Sequence, residues 1–295
     1  MSKVASVQAG QSFALPGAPS VRARRPLLTK VKSLVHGGLK PLLPPSWYWR
    51  LLASRMGYFD PELHLLRHVC DRTKASIDIG ASGGTYTVHL LNHSKKCYAF
   101  EPCPVQLAVL IDRLATRPSP RLHIETTALS DRTGEARLRI VAADLGRSSI
   151  EATNPLECAG DIEVLTVPTR RLDDYAETME AVGCIKIDVE GHEEAVLRGA
   201  ARILARDHPS LIIEIEERHK PGSIGAVTRY LAELGYRGFF FRGGRLHAIE
   251  SFNLATQQDV SKLTEKASGE PVYVNNFLFL AAGALAKVRH LLDDQ

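Results

Sequence analysis

The sequence predicts an α/β fold: a mostly parallel sheet of seven strands with helices on both faces, an antiparallel C-terminal strand, an inserted β-hairpin and an N-terminal extension. Three observations predict it. Short apolar runs alternate with helical stretches from about residue 75 onward, the pattern of strand–helix–strand units. The first run, Ser76–Ile79, opens directly into a glycine-rich turn. Near the end, Gly243-Gly244 separates two strand-like segments and marks a hairpin, which reverses the chain direction.

The elements follow in order. Residues 1–25 are rich in Ala, Gly, Ser and Pro without a sustained period, so disorder is expected there. A basic stretch over 26–40 suits a short helix that Pro41, Pro44 and Pro45 would stop. We take residues 1–45 as a leader and residues 46–72 as a helical segment that packs on the core. Trp47, Tyr48 and Trp49 supply the apolar contact, or else a lipid-interface contact. Asp60 to Cys70 reads as an amphipathic helix with Leu63, Leu66 and Val69 on one face. The main domain spans 73–284, with 285–295 as a tail. Within it the strands are Ser76–Ile79, Cys97–Phe100, Leu122–Thr126, Ile185–Val189 and Leu211–Ile215, then Arg237–Phe241, Arg245–Ile249 and Asn276–Leu280. Helices are expected over Thr85–Leu91, Pro104–Leu114, Glu193–Leu204 and Ile224–Leu234. Glu135–Val141 and Ile162–Pro168 alternate like antiparallel strands, and the polar loop between them is placed as a cap over a site.

Charge and cysteine usage narrow the setting. The formal net charge is +4, but residues 1–59 hold nine Lys or Arg and no acid, leaving 28 bases and 33 acids in the rest. A basic head suits a membrane surface, nucleic acid or an anionic partner, or is a solvated leader. No apolar run approaches the ~20 residues that span a bilayer. Five cysteines without a C-x-x-C pair form neither a disulfide framework nor a zinc site, so a reducing cytoplasm is expected. Residues 1–20 lack the charged start and compact apolar centre of a secretory signal, although an acid-poor, Arg-containing leader also matches an organellar transit segment.

The sharpest local signal is Ile77-Asp78-Ile79-Gly80-Ala81-Ser82-Gly83-Gly84-Thr85, a strand, a glycine turn and a helix start. Glycines let the backbone turn tightly and approach a ligand, and the helix start offers free N–H groups. The spacing G-x-x-G-G departs from the dinucleotide fingerprint. Glu101 ends the next strand, 21 residues past Gly80, where a carboxylate can accept two ribose hydroxyls. Asp78 favours a ligand whose nearby end is cationic; a pyrophosphate would be repelled there. Ala128 and Leu129 follow the third strand and should reach the nucleobase side of the cleft, with Ser130-Asp131 either joining them or forming a turn. Asp188, Glu190 and His192 lie at the end of the fourth parallel strand, where ligands of open α/β sheets bind. One of the three is the candidate proton acceptor. His192 has the natural pKa, Asp188 the nearest position, and Glu190 the reach to a sugar hydroxyl. Asp188 with Glu214 is a weaker candidate for holding Mg²⁺.

These residues resemble the FkbM family of methyltransferases. The resemblance is carried by Ile77–Thr85, Phe100-Glu101-Pro102, Ala128-Leu129-Ser130-Asp131, Arg171-Leu172-Asp173-Asp174, Ile185–Glu193 and Asn276–Leu280, with Gly146-Arg147-Ser148-Ser149-Ile150 similar to its Ser-Ser segment. It covers roughly residues 75–280 and leaves out the basic head. It implies a Rossmann-like seven-stranded methyltransferase sheet, S-adenosylmethionine as methyl donor and usually O-methylation of a hydroxyl on a sugar, glycan or related small molecule. The donor-binding set expected from the residues is Asp78, Gly80, Ala81, Gly83, Thr85, Glu101, Ala128, Leu129 and Asp188, with no metal ligands assigned and a divalent metal only weakly supported. Two other readings stand beside it. One is a nucleotide-dependent oxidoreductase, against which Asp78 and the glycine spacing speak. The other is a nucleic-acid-binding protein on a degenerate methyltransferase fold, supported only by the basic head; no specific nucleic acid is expected.

Overall fold

The structure, a computed structural model, describes residues 60–115, 119–142, 144–156, 161–267 and 270–293. The expected leader and the aromatic segment over 46–59 lie outside the described residues. The chain enters through a 3-10 turn, Pro61–His64, and a short helix α1 (Leu66–Val69). Two short turns thus replace the single amphipathic helix expected there, yet Leu66 and Val69 are buried as its apolar face required.

The first parallel strands are β1 (Ala75–Ile79), β2 (Lys96–Phe100) and β3 (Leu122–Glu125), joined by helices α2 (Thr85–His93) and α3 (Pro104–Ala115). A small second sheet follows, formed by β4 (Ala128–Leu129), β5 (Gly134–Val141) and β6 (Ile162–Arg170) in the order β4-β6-β5. The expected hairpin is the antiparallel β5–β6 pair, and β4 joins it parallel to β6. The main sheet resumes with β7 (Val182–Ile187), helices α4 (Glu193–Arg198) and α5 (Ala201–Asp207), β8 (Ser210–Glu214), α6 (Ser223–Glu233), β9 (Tyr236–Arg242) and β10 (Arg245–Ala248). After α7 (Leu254–Gln257) and a minimal hairpin of β11 (Lys266–Ala267) and β12 (Glu270–Pro271), the chain closes with β13 (Asn276–Ala281) and α8 (Ala282–Val288).

The main sheet runs β10-β9-β13-β8-β7-β1-β2-β3. Strands β1, β2, β3, β7 and β8 pair in parallel, and β13 is antiparallel to both β8 and β9. This is the expected seven-stranded set; the Gly243-Gly244 hairpin adds β10 at its edge. Chain order reverses beside β1, where β2 lies on one side and β7 on the other, so the strand ends there open a crevice.

Both faces of the sheet are covered. Ile77, Ile79, Ile185 and Ile187 join one buried layer; Cys97, Cys184, Ile212 and Leu278 join the other. Covering both faces is what lets the central strands be nearly continuous apolar runs.

Two expected boundaries change. The helix over 193–204 breaks between α4 and α5 at Ala200 (φ −113, ψ 9), next to Gly199, where a Cβ would sit 2.0 Å from the Ser130 carbonyl oxygen. The segment 285–295 is no free tail as far as it is described. It continues α8, whose Val288 is fully buried in the layer that holds Leu65 and Leu66.

Candidate active site

Gly80 and Ala81 both donate their N–H to the Phe100 carbonyl at 3.0 Å, which folds the chain sharply off the end of β1. Gly80 takes φ +76, and a Cβ there would fall 1.8 Å from the Asp188 carbonyl oxygen. Only glycine satisfies both demands. Across the bend, Asp188 N–H donates to the Ile79 carbonyl at 2.9 Å, fixing the end of β7 beside that of β1. Arg113 of α3 donates to the Gly83 carbonyl at 2.6 Å and steadies the loop.

A cavity of about 890 Å³ opens at these strand ends. That volume lies in the upper range of small-molecule sites. Asp78, Gly80, Ala81, Gly83 and Thr85 line it from β1, its turn and the start of α2. Glu101 lines it from β2, Ala128 and Leu129 from β4, and Asp188 and Glu190 from the turn after β7. The cap loop contributes Asp144 to Ile150, and Glu214, Glu216, Arg218, Tyr273 and Asn275 form the opposite wall.

Glu101 is held by main-chain donors, Ser82 N–H on Oε2 at 2.6 Å and Cys103 N–H on Oε1 at 2.8 Å. Each oxygen keeps a lone pair free for a diol. Burial, assisted by the charges of Asp78 and Asp188, pushes its pKa up to about 7 against those two hydrogen bonds. Asp78 accepts the Thr87 hydroxyl at 2.5 Å, and burial raises its pKa to about 6.

Glu190 sits at φ +56, which is uncommon for a side chain other than Gly, Asn or Asp. Two groups of the cap hold that turn: the Ser149 hydroxyl and the Asn154 amide each donate to the Glu190 carbonyl at 2.8 Å. Behind its carboxylate, His219 Nδ1 lies 3.0 Å from Oε2, an ion-pair contact without hydrogen-bond alignment. Burial raises the Glu190 pKa, opposed by His219.

His192 is the candidate that the structure does not bring to the cavity. Its Nε2 meets the Ser130 hydroxyl at 2.9 Å and its Nδ1 meets Glu151 Oε2 at 3.1 Å, so both ring nitrogens face protein groups. Burial draws its pKa down, against the pull of Glu151. His192 therefore ties the start of α4 to β4 and the cap loop. Ser130 and Asp131 likewise form the turn; Ser130 is not in the cavity wall.

The sequence reading passed over Lys186. It lies one residue from Ile185 and Ile187 and is only 1% exposed. Its ammonium donates to Asn276 Oδ1 at 2.8 Å and stands 3.8 Å from Asp188 and 3.7 Å from Glu214. The signal was a single charge inside the apolar run Cys184–Ile187. Asp60, the first acid after the acid-free head, also lines the cavity and was not expected there.

A sheet that reverses beside β1, a glycine bend at its end and a carboxylate ending β2 define a Rossmann-like methyltransferase. The chain belongs to the FkbM methyltransferase family: the methyltransferase FkbM domain matches residues 78–237, more than half of its length. Among solved structures it is similar to the methyltransferase FkbM from Methylobacillus flagellatus, at 17% identity and a TM-score of 0.45, over 71% of this chain and 44% of that one. The chain thus spans less than half the length of that protein. It is also similar to an rRNA methylase from Streptococcus thermophilus, at 16% identity and a TM-score of 0.40, over 74% and 91% of the two chains. Fibrillarin from Aeropyrum pernix, solved with natively bound S-adenosyl-L-methionine, matches at 12% identity and a TM-score of 0.38 over 79% and 74%. No curated protein matches the chain. No helix among the described residues is long and apolar enough to cross a membrane.

Proposed function

We propose that the chain is an S-adenosylmethionine-dependent O-methyltransferase acting on a hydroxyl of a sugar, glycan or related small molecule. One observation carries the reading: Gly80, Glu101 and Asp188 share the wall of one cavity with the acids Glu190, Glu214 and Glu216. The donor set fits the methyl donor. Glu101 offers lone pairs to a ribose diol, and Asp78 and Asp188 give the bend a negative end suited to an ammonium and a sulfonium. When bound, the donor supplies a methyl group open to in-line attack by an oxygen.

The chain's own residues would do the rest. Glu190 accepts the proton of the acceptor hydroxyl, with His219 behind it to balance the charge as it forms and collapses. Its raised pKa suits that task better than an ordinary carboxylate would. Asp188 orients the donor and the attacking oxygen. The cap loop, through Ser148 and Ser149, closes the acceptor end. Acids on that end favour a neutral, hydroxyl-rich acceptor and would repel the phosphates of a nucleic acid. The described cysteines Cys70, Cys97, Cys103 and Cys184 are free, which suits a reducing cytoplasm.

The test is incubation with isotopically labelled methyl donor and a glycan and metabolite extract, followed by mass spectrometry. Label should appear as methyl ether on hydroxylated products. Parallel melting curves should rise with S-adenosylhomocysteine and stay unmoved with NAD. Absence of both label and shift would dismiss the reading.

A further inference from the structure

A lysine is almost never fully buried unless its charge is matched. Lys186 is matched several times over, by groups gathered from three strand ends. Asp188 comes from the end of β7, Glu214 from the end of β8 and Asn276 from the start of β13. The Tyr86 ring of α2 covers the ammonium at 4.8 Å from its centroid. Burial alone would lower the lysine's pKa, but Asp188 and Glu214, with Asp60 and Asp78 farther out, hold it above the usual range. The ammonium is therefore a fixed positive charge in the cavity wall.

Its position gives it meaning. Carboxylate oxygens of Asp188, Glu190 and Glu214 lie within 4.8 Å of one another, close enough to surround one divalent ion. Lys186 already stands beside two of the three. A divalent cation brought to the same oxygens would meet the repulsion of this ammonium, which stands 3.8 Å from Asp188 and 3.7 Å from Glu214.

We propose that Lys186 is the built-in counter-ion of the transfer site: its ammonium takes the role a divalent metal would have among Asp188, Glu190 and Glu214, so that these carboxylates are placed for donor and acceptor without a metal. Lys186 is a positioning residue. It acts through Asp188 and Glu214, not by touching the reacting atoms. Its catalytic meaning rests on the methyl-transfer reading. The exclusion of metal does not, because it rests on where the ammonium stands among these oxygens.

Mn²⁺ is the probe, read by electron paramagnetic resonance on the full-length chain. The wild type should take up no Mn²⁺ and bind S-adenosylhomocysteine equally well with or without chelator. Lys186→Met, checked for folding by circular dichroism, should gain one chelator-reversible Mn²⁺, whereas Lys186→Arg should still exclude it. Uptake of Mn²⁺ by the wild type, or a chelator-sensitive affinity for S-adenosylhomocysteine, overturns the proposal whatever the variants do. A folded Lys186→Met that binds no Mn²⁺ overturns it as well. Should the wild type bind neither S-adenosylhomocysteine nor metal, the methyl-transfer reading falls while the charge assignment stands.

Discussion

Glu101 shows how a single carboxyl reports on ligand binding. Its pKa near 7 means that the free site holds a proton on it in mildly acidic solution. A diol that donates to both oxygens prefers the ionised form. Affinity for S-adenosylhomocysteine should therefore be steady above about pH 8 and weaken as pH falls through 7, approaching tenfold per unit. Titration calorimetry across that range checks it; a constant affinity would place the diol elsewhere. Glu101→Gln should weaken binding about 10- to 100-fold, the loss of one hydrogen bond to a charged group, and flatten the profile. Glu190→Gln should behave differently. We expect kcat to fall about 100-fold or more with the affinity for S-adenosylhomocysteine unchanged, measured by steady-state kinetics and calorimetry on the same preparation.

At the scale of elements, two contacts determine how the site is assembled. The break between α4 and α5 lets the chain pass the Ser130 carbonyl closely enough that any Cβ at position 199 collides with main chain. Gly199→Ala should destabilise the protein by about 1–3 kcal/mol, seen as a lower midpoint in urea. The second contact joins the cap to the turn after β7 through Ser149 and Asn154. Replacing both by Ala should raise KM for the acceptor and leave donor affinity intact, since neither touches the glycine bend.

The same scale explains what was legible beforehand. Strands such as β1 and β7, together with the glycine bend, announce themselves because burial on both faces and a positive φ leave few residue types free. Gly199 was visible in the sequence, but nothing local told of the carbonyl facing it. His192 was misplaced for a related reason. Its backbone position at the strand end was correct, and its ring direction was decided by Ser130 and Glu151, which lie 62 and 41 residues away in sequence. Lys186 was passed over because its partners are distant in sequence: nothing local shows that Glu214 and Asn276 would gather around its ammonium.

Taken as a whole, the molecule carries several carboxyls that fold into places where the proton is welcome. Burial raises Asp78 to about 6 and Glu101 and Glu193 to about 7. In the unfolded chain such groups lose their protons near pH 4. Between those values the native state binds more protons at these groups, so the stability they contribute is full below the unfolded pKa and is lost as pH rises through 6 to 7. His219, raised by Glu190, adds to this trend, and His192, lowered by burial, opposes it. The ligand-free protein should therefore melt at a higher temperature near pH 5.5 than near pH 8, and Glu193→Gln should shrink the difference. Scanning calorimetry without ligand would refute this if the melting temperature climbed with pH instead.

The cap is fastened to main-chain oxygens, and the carboxylate it steadies points its own side chain elsewhere. Leu145, Gly146 and Ser148 line the cavity beside those fastening points without themselves holding the Glu190 carbonyl. A library randomised across that short stretch, with Ser149 and Asn154 retained, offers a way to retune which alcohols are admitted while the chemistry beneath is left as it is.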